Sequence, residues 1–183
     1  MTSRSIVSCV RATALVLIGL ASVFSLAAAP TASDTSPAPD FVLKARTGKN
    51  LRLSERRGEV VMINFWATWC VGCRDEMPRL DELFKRYQAA GFTVLGVNVD
   101  EKRIDAETML KNMGVTFPIL YDVPASDGGS DFSKFRVAKL YQVRKMPITF
   151  LVDRNGRLRY IHGGYSRGDE QEYERKIREL LKE

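Results

Sequence analysis

The sequence predicts an α/β fold: a mixed central sheet flanked by helices and preceded by a β-hairpin. Three observations carry this. Residues 59–66 and 92–99 are nearly unbroken apolar runs, the pattern of strands covered on both faces. Each run leads into a stretch with apolar residues at helical spacing, and strand–helix–strand order gives parallel neighbours. A later hairpin and a closing amphipathic helix complete the chain, adding antiparallel strands to the same sheet.

The first forty residues stand apart from that pattern. Arg4 and Arg11 precede an uncharged run from Ala12 to Ala29, and a basic start, apolar middle and small residues at the end describe a secretory signal. At about 18 residues the run also reaches the lower limit for a retained anchor. Residues 1–29 are therefore expected to be a signal peptide or an N-terminal membrane anchor, and the arginines ahead of the run export the remainder in both cases. Cys9 lies on the inner side and no lipid-attachment box follows it. Residues 30–39, rich in Pro, Ala, Ser and Thr, read as a flexible linker. Residues 40–183 are left as one domain, long enough for a substantial core.

Within the domain, Phe41-Val42-Leu43 and Leu51-Arg52-Leu53 alternate around Gly48-Lys49-Asn50, a hairpin signal. After the strand at 59–66, Met77, Leu80, Phe84 and Tyr87 form one helical stripe that Gly91 ends, with Pro78 expected to kink it. The strand at 92–99 leads to a helix at 100–114 with Ala106, Met109, Leu110 and Met113 inward, capped by Asp100. A short strand at 117–121, a polar loop at 124–130 and one short helix at 132–141 follow. Residues 147–152 and 158–162 pair across Asp153-Arg154-Asn155-Gly156, and His162 is expected on the surface of that second hairpin. Gly163-Gly164 ends it. The last helix starts at Asp169 and turns Tyr173, Ile177, Leu180 and Leu181 inward. No internal repeat occurs.

The whole chain carries a formal charge of +6, but basic and acidic residues are interspersed, as in Arg52, Glu55, Arg56, Arg57, Glu59. A nucleic-acid surface needs basic clusters with interleaved aromatics, so no nucleic-acid partner is expected. Chemistry concentrates instead at Trp69-Cys70-Val71-Gly72-Cys73. Cys-x-x-Cys where a strand gives way to a helix reads as a redox pair rather than a staple. A zinc site needs four ligands, whereas the exported chain has two cysteines and one distant histidine, so no metal is assigned. No flavin or nicotinamide motif is present, and no cofactor is expected.

Phe65-Trp66-Ala67-Thr68-Trp69-Cys70-Val71-Gly72-Cys73, the following Glu76-Met77-Pro78, Gly96-Val97-Asn98-Val99-Asp100, Tyr141-Gln142-Val143 and Met146-Pro147-Ile148-Thr149-Phe150-Leu151-Val152-Asp153 together resemble the periplasmic TlpA/ResA/DsbE-like branch of the thioredoxin superfamily. The resemblance covers residues 39–182. It implies a thioredoxin fold with a central αβ insertion at 101–121, and a cis Pro147 facing the dithiol. It also implies a periplasmic thiol–disulfide oxidoreductase. Members of the branch keep partner disulfides reduced, often in cytochrome c biogenesis, while others serve copper-site or sporulation proteins. Apocytochrome c or copper-site proteins are thus the implied substrates and a membrane reductant transporter the electron donor. The chain itself is expected to be a monomer.

Cys70 is the expected nucleophile. At a helix start, free N–H groups and the helix dipole favour negative charge, drawing a thiol from about 8.5 toward neutrality. Cys73, one turn inside, resolves the mixed disulfide. Val71-Gly72 supplies neither proline nor histidine to favour the thiolate further, which points to a reductant rather than an oxidase. Thioredoxins proper bury an Asp where this chain has Asn64, and Asn cannot titrate. Glu76, at i+3 from Cys73 and matching a Glu of the branch, is the expected replacement as proton carrier; its alternative is a surface pair with Arg79. Met146 and Pro147 present backbone to an incoming peptide, and Trp69 belongs to the docking surface. A peroxide-reducing redoxin and a Cu(I)-handling module remain as other functions. Against the first, Thr68 sits two residues before Cys70, out of register for a Thr-x-x-Cys peroxidase site. The second would rest on the cysteine pair alone, His162 being the one imidazole available.

Overall fold

A computed structural model describes residues 36–124 and 132–183. The expected signal or anchor, most of the linker and all but the first residue of the polar loop at 124–130 lie outside the described residues. The chain order is β1 (Val42–Ala45), β2 (Asn50–Arg52), β3 (Val60–Trp66), α1 (Val71–Tyr87), β4 (Phe92–Asn98), α2 (Arg103–Met113), β5 (Ile119–Tyr121), α3 (Arg136–Leu140), β6 (Ile148–Val152), β7 (Leu158–Gly163) and α4 (Asp169–Leu181). Seven strands form one sheet in the order β2-β1-β5-β4-β3-β6-β7. β3 pairs parallel with β4, and β4 with β5, through helical crossovers, while β6 and β7 add antiparallel to β3. This is the thioredoxin-like mixed sheet that the apolar runs and hairpins predict, with α2 and β5 as the inserted unit. None of the helices among the described residues is long and apolar enough to cross a membrane.

β3 and β4 are buried along their whole length, so even their polar members, Asn64, Thr93 and Asn98, lie inside. Side chains leave a strand on alternating faces. On one face Phe65 meets Tyr141 and Phe150. On the other, Asn64 and its cross-strand partner Thr149 both reach Glu76 of α1, which also takes the Tyr173 hydroxyl of α4.

α1 contains Pro78 on its exposed side. Several expectations are corrected. Past Tyr87 a short 3-10 turn (Gln88–Ala90) intervenes before Gly91, whose left-handed φ of 90° ends the segment. Residues 132–141 do not make one helix: a 3-10 turn (Phe132–Lys134) and α3 are separated by an extended Phe135. The Asp122 carboxylate accepts from Val137 N and Ala138 N, both at 2.8 Å, so an acid from another element starts α3 afresh. Asp100 does not cap α2, which begins at Arg103 without a side-chain cap. The end of the expected linker is joined to the domain: Leu158 N donates to Ser36 O, Ala38 N to Gly156 O, and the Tyr141 hydroxyl to Pro39 O.

Candidate active site

Cys70 and Cys73 lie where β3 delivers the chain to the N-terminus of α1. Cys70 is the N-cap, and its Sγ accepts the Cys73 amide at 3.1 Å. The two sulfurs are bonded to each other, with Cα atoms 5.3 Å apart. Exposure is unequal, 6% for Cys70 and 0% for Cys73. Cys70 is thus the more exposed of the two and sits at the helix end, where negative charge is favoured.

Opposite the pair, the Met146–Pro147 peptide is cis, as the resemblance implies. Pro147 packs so near that a Cβ on Gly72 would lie 3.3 Å from its Cδ. A side chain at position 72 would press on Pro147 by a few tenths of an ångström. Pro147 is buried, Met146 half-buried, and the Pro147 carbonyl accepts from Gly164 N at 2.7 Å. Trp69 is 58% exposed and stacks on Phe132, ring centroids 6.0 Å apart at 21°. A cavity of about 430 Å³ opens beside this aromatic pair, between Thr68, Lys102 and Lys134.

The Thr68-Trp69 corner is held by Asp100. Its carboxylate accepts from Thr68 N at 3.0 and 3.1 Å, from Thr68 Oγ1 at 2.9 Å and from Asn98 Nδ2 at 2.8 Å. Asp100 thus fastens the turn that carries Trp69 into Cys70.

Glu76 is fully buried one turn beyond Cys73 on α1. The alternative surface pair does not form: Arg79 bonds Glu82 instead. Three donors converge on the Glu76 carboxyl, the Asn64 amide at 2.8 Å, the Tyr173 hydroxyl at 2.9 Å and the Thr149 hydroxyl at 3.3 Å. Asn64 Nδ2 also donates to Thr149 at 2.9 Å. Burial pushes the Glu76 acid up to about 7; the hydrogen bonds from Tyr173, Asn64 and Thr149 oppose that rise, and the charge of Asp169 adds to it. Desolvation dominates because none of the three bonding partners is a cation.

His162 is not simply a surface strand residue. It is half-buried, its Nε2 lies 3.0 Å from Asp169 Oδ2, and its ring meets Tyr173 edge to face.

Cys70, Cys73, Glu76 and Pro147 are therefore brought together, with Met146 beside them and Trp69 at the rim. Thr149, Tyr173, Asp100 and Phe132 are partners of the site that motif spacing does not reveal, while Asn64, marked in the sequence by the acid it lacks, is found bonded to Glu76. Tyr173 was legible only as an inward position of α4, and Thr149 meets Asn64 through the β3–β6 register.

The sequence pattern of the AhpC/TSA family matches residues 35–161. The chain belongs to that family. The thiol–disulfide oxidoreductase ResA of Geobacillus thermodenitrificans is 40% identical over 129 residues, covering 70% of this chain and 68% of that protein. ResA of Bacillus subtilis is 34% identical over 126 residues, covering 69% and 65%. Among solved structures, a putative thiol:disulfide interchange protein DsbE from Chlorobium tepidum superposes with a TM-score of 0.72 at 35% identity, covering 81% of this chain and 97% of that one. With the Cys70–Cys73 pair in place, the AhpC/TSA-family chain is a thiol–disulfide oxidoreductase of thioredoxin-like fold. Neither other function is favoured: these relatives are named for thiol–disulfide exchange, and the Thr68 hydroxyl is engaged by Asp100.

Proposed function

We propose that the chain is an exported, periplasmic reductant of partner-protein disulfides. The observation that carries the assignment of roles is the asymmetry of the pair, an outer Cys70 at the helix cap and an inner Cys73 followed one turn later by a buried acid. In the reduced protein, the Cys70 thiolate attacks a partner disulfide. A Cys70–partner bond forms, the partner S–S bond breaks, and the first partner thiolate leaves. Cys73 loses its proton to the Glu76 carboxylate and attacks Cys70 Sγ, forming the Cys70–Cys73 bond and releasing the second partner thiolate. Two electrons pass from the dithiol to the partner. Trp69 and the backbone at Met146-Pro147 hold the partner strand meanwhile.

Disulfide-bearing proteins follow as partners from the family, and apocytochrome c or copper-site proteins are the substrates of this proposal. Residues 1–29 act as signal peptide or anchor, and residues 30–35 as linker. Electrons arrive from a membrane reductant transporter, and the chain works as a monomer. Trapping tests the substrate assignment: Cys73→Ser should accumulate covalent adducts through Cys70 in native periplasm, and their identification names the substrates. If nothing is trapped and wild type reduces insulin no faster than Cys70→Ser, the reductive function is refuted. Retention of the mature protein on alkaline-washed membranes decides between anchor and cleaved signal.

A further inference from the structure

α4 buries Tyr173, Ile177 and Leu180 against the sheet. Packing alone would be met at position 173 by phenylalanine, which fills nearly the same volume. The tyrosine hydroxyl instead reaches a polar group: it donates to Glu76 Oε1 at 2.9 Å, nearly 100 positions away in the chain, and Tyr173 is itself fully buried. Its ring is fixed from behind by His162, edge to face with centroids 5.4 Å apart. Asp169, one turn earlier on α4, holds His162 through Nε2 and receives Ser166 N at 2.7 Å.

We propose that Tyr173 is the positioning residue for the site's buried acid, its hydroxyl holding the Glu76 carboxyl in the state that can accept a proton. This rests on the assignment of Glu76 as proton carrier and extends it to a residue on the far end of the chain. A donor to a carboxylate favours the ionised form, and in a buried setting such bonds are strong. Asn64 and Thr149 supply the other two donors, and neither titrates. Among the described residues, the other charged or titratable groups that act on the carboxyl are Asp169 on α4, whose charge disfavours ionisation, and the Tyr165 hydroxyl in the connection before α4; Cys73 lies one turn earlier on α1, and His162 on β7 faces it through Tyr173. Without the tyrosine hydroxyl, burial and Asp169 go less opposed, and Glu76 keeps its proton to higher pH.

Infrared spectroscopy of the oxidised protein tests this directly, since the disulfide leaves no thiol to titrate. The carbonyl band of a buried protonated carboxyl should titrate in wild type and be missing from Glu76→Gln. In Tyr173→Phe its midpoint should move up, corresponding to about tenfold tighter proton binding. The acid limb of the pH profile for disulfide reduction should move the same way, with near-ultraviolet circular dichroism unchanged. A folded Tyr173→Phe whose midpoint stays at the wild-type value overturns the proposal. Should that variant fail to fold, 3-fluorotyrosine at position 173, a more acidic donor, should move the midpoint down; no movement overturns the proposal equally. Failure of the underlying assignment looks different: Glu76→Gln would then leave the pH profile of exchange unchanged, whatever the infrared band does in Tyr173→Phe.

Discussion

At Glu76, burial and hydrogen bonding pull the carboxyl in opposite directions, and burial wins. The consequence for stability has a definite sign. A group whose pKa is raised on folding stabilises the native state fully below its unfolded pKa, and that contribution is lost as pH climbs through the folded pKa. For Glu76 the window runs from the ordinary 4.5 to about 7, and the loss is on the order of 3 kcal/mol. Urea unfolding of oxidised wild type and Glu76→Gln should therefore diverge across this window, with wild type losing stability relative to the variant as pH rises. Parallel curves would return Glu76 to an ordinary acid. Asn64 gives a second residue-level test. Asn64→Asp sets two carboxyls at hydrogen-bonding distance, and two such groups cannot both ionise cheaply. The variant should be destabilised above neutral pH far more than at pH 5, read by thermal melting. Position 64 also shows what single residues disclose. That the acid of thioredoxins is missing there was plain from the sequence. That the asparagine amide bonds the Glu76 carboxyl was not, because the contact joins β3 to the helix packed on its face.

Elements announced themselves where one periodicity ran long enough. Strands β3 and β4 and helices α1 and α4 are all visible as apolar runs or stripes, since their burial is decided by the sheet they share. The sequence failed where a side chain of one element terminates or begins another. Asp122 starts α3 from the end of β5, and Asp100, which looked like a cap for α2, reaches back to the β3–α1 corner. Local spacing carries no trace of such long-range bonds. The Asp100 tie has a measurable weight. Asp100→Ala leaves the Thr68 amide and hydroxyl and the Asn98 amide without their acceptor, costing about 1–3 kcal/mol of stability. Because the freed corner carries Trp69, KM for a protein disulfide substrate should rise more than kcat falls. A loss confined to kcat would mean the corner does not need Asp100 to present Trp69.

At the scale of the whole molecule, the dithiol and the incoming chain occupy opposite ends of the sheet. The pair sits beyond Trp66, near Pro147 and Gly163, while Ser36–Ala38 bonds to Gly156 and Leu158 at the other end of the β6–β7 hairpin. A partner protein can thus approach Cys70 without meeting residues 36–38. This polarity was not legible beforehand, because residues 36–39 read as linker by composition alone. The direction of electron flow is likewise a property of the whole fold, through a thermodynamic cycle. The potential of the dithiol differs from that of the same cysteines in the unfolded chain by the difference in folding stability between oxidised and reduced protein. A strong oxidant is one whose reduced form is stabilised by the fold. A reductant has the reverse preference, and Val71-Gly72 supplies nothing to stabilise a Cys70 thiolate beyond the helix start. The oxidised protein should therefore resist urea more than the reduced protein. Each 30 mV by which folding lowers the potential should appear as about 1.4 kcal/mol of added stability. The potential itself, measured against glutathione or dithiothreitol buffers, should fall nearer thioredoxin's value of about −270 mV than the roughly −120 mV of a strong oxidase. Unfolding in which the reduced form is the more resistant, matched by a potential at the oxidising end, would make the chain a donor of disulfides and reverse the proposed direction.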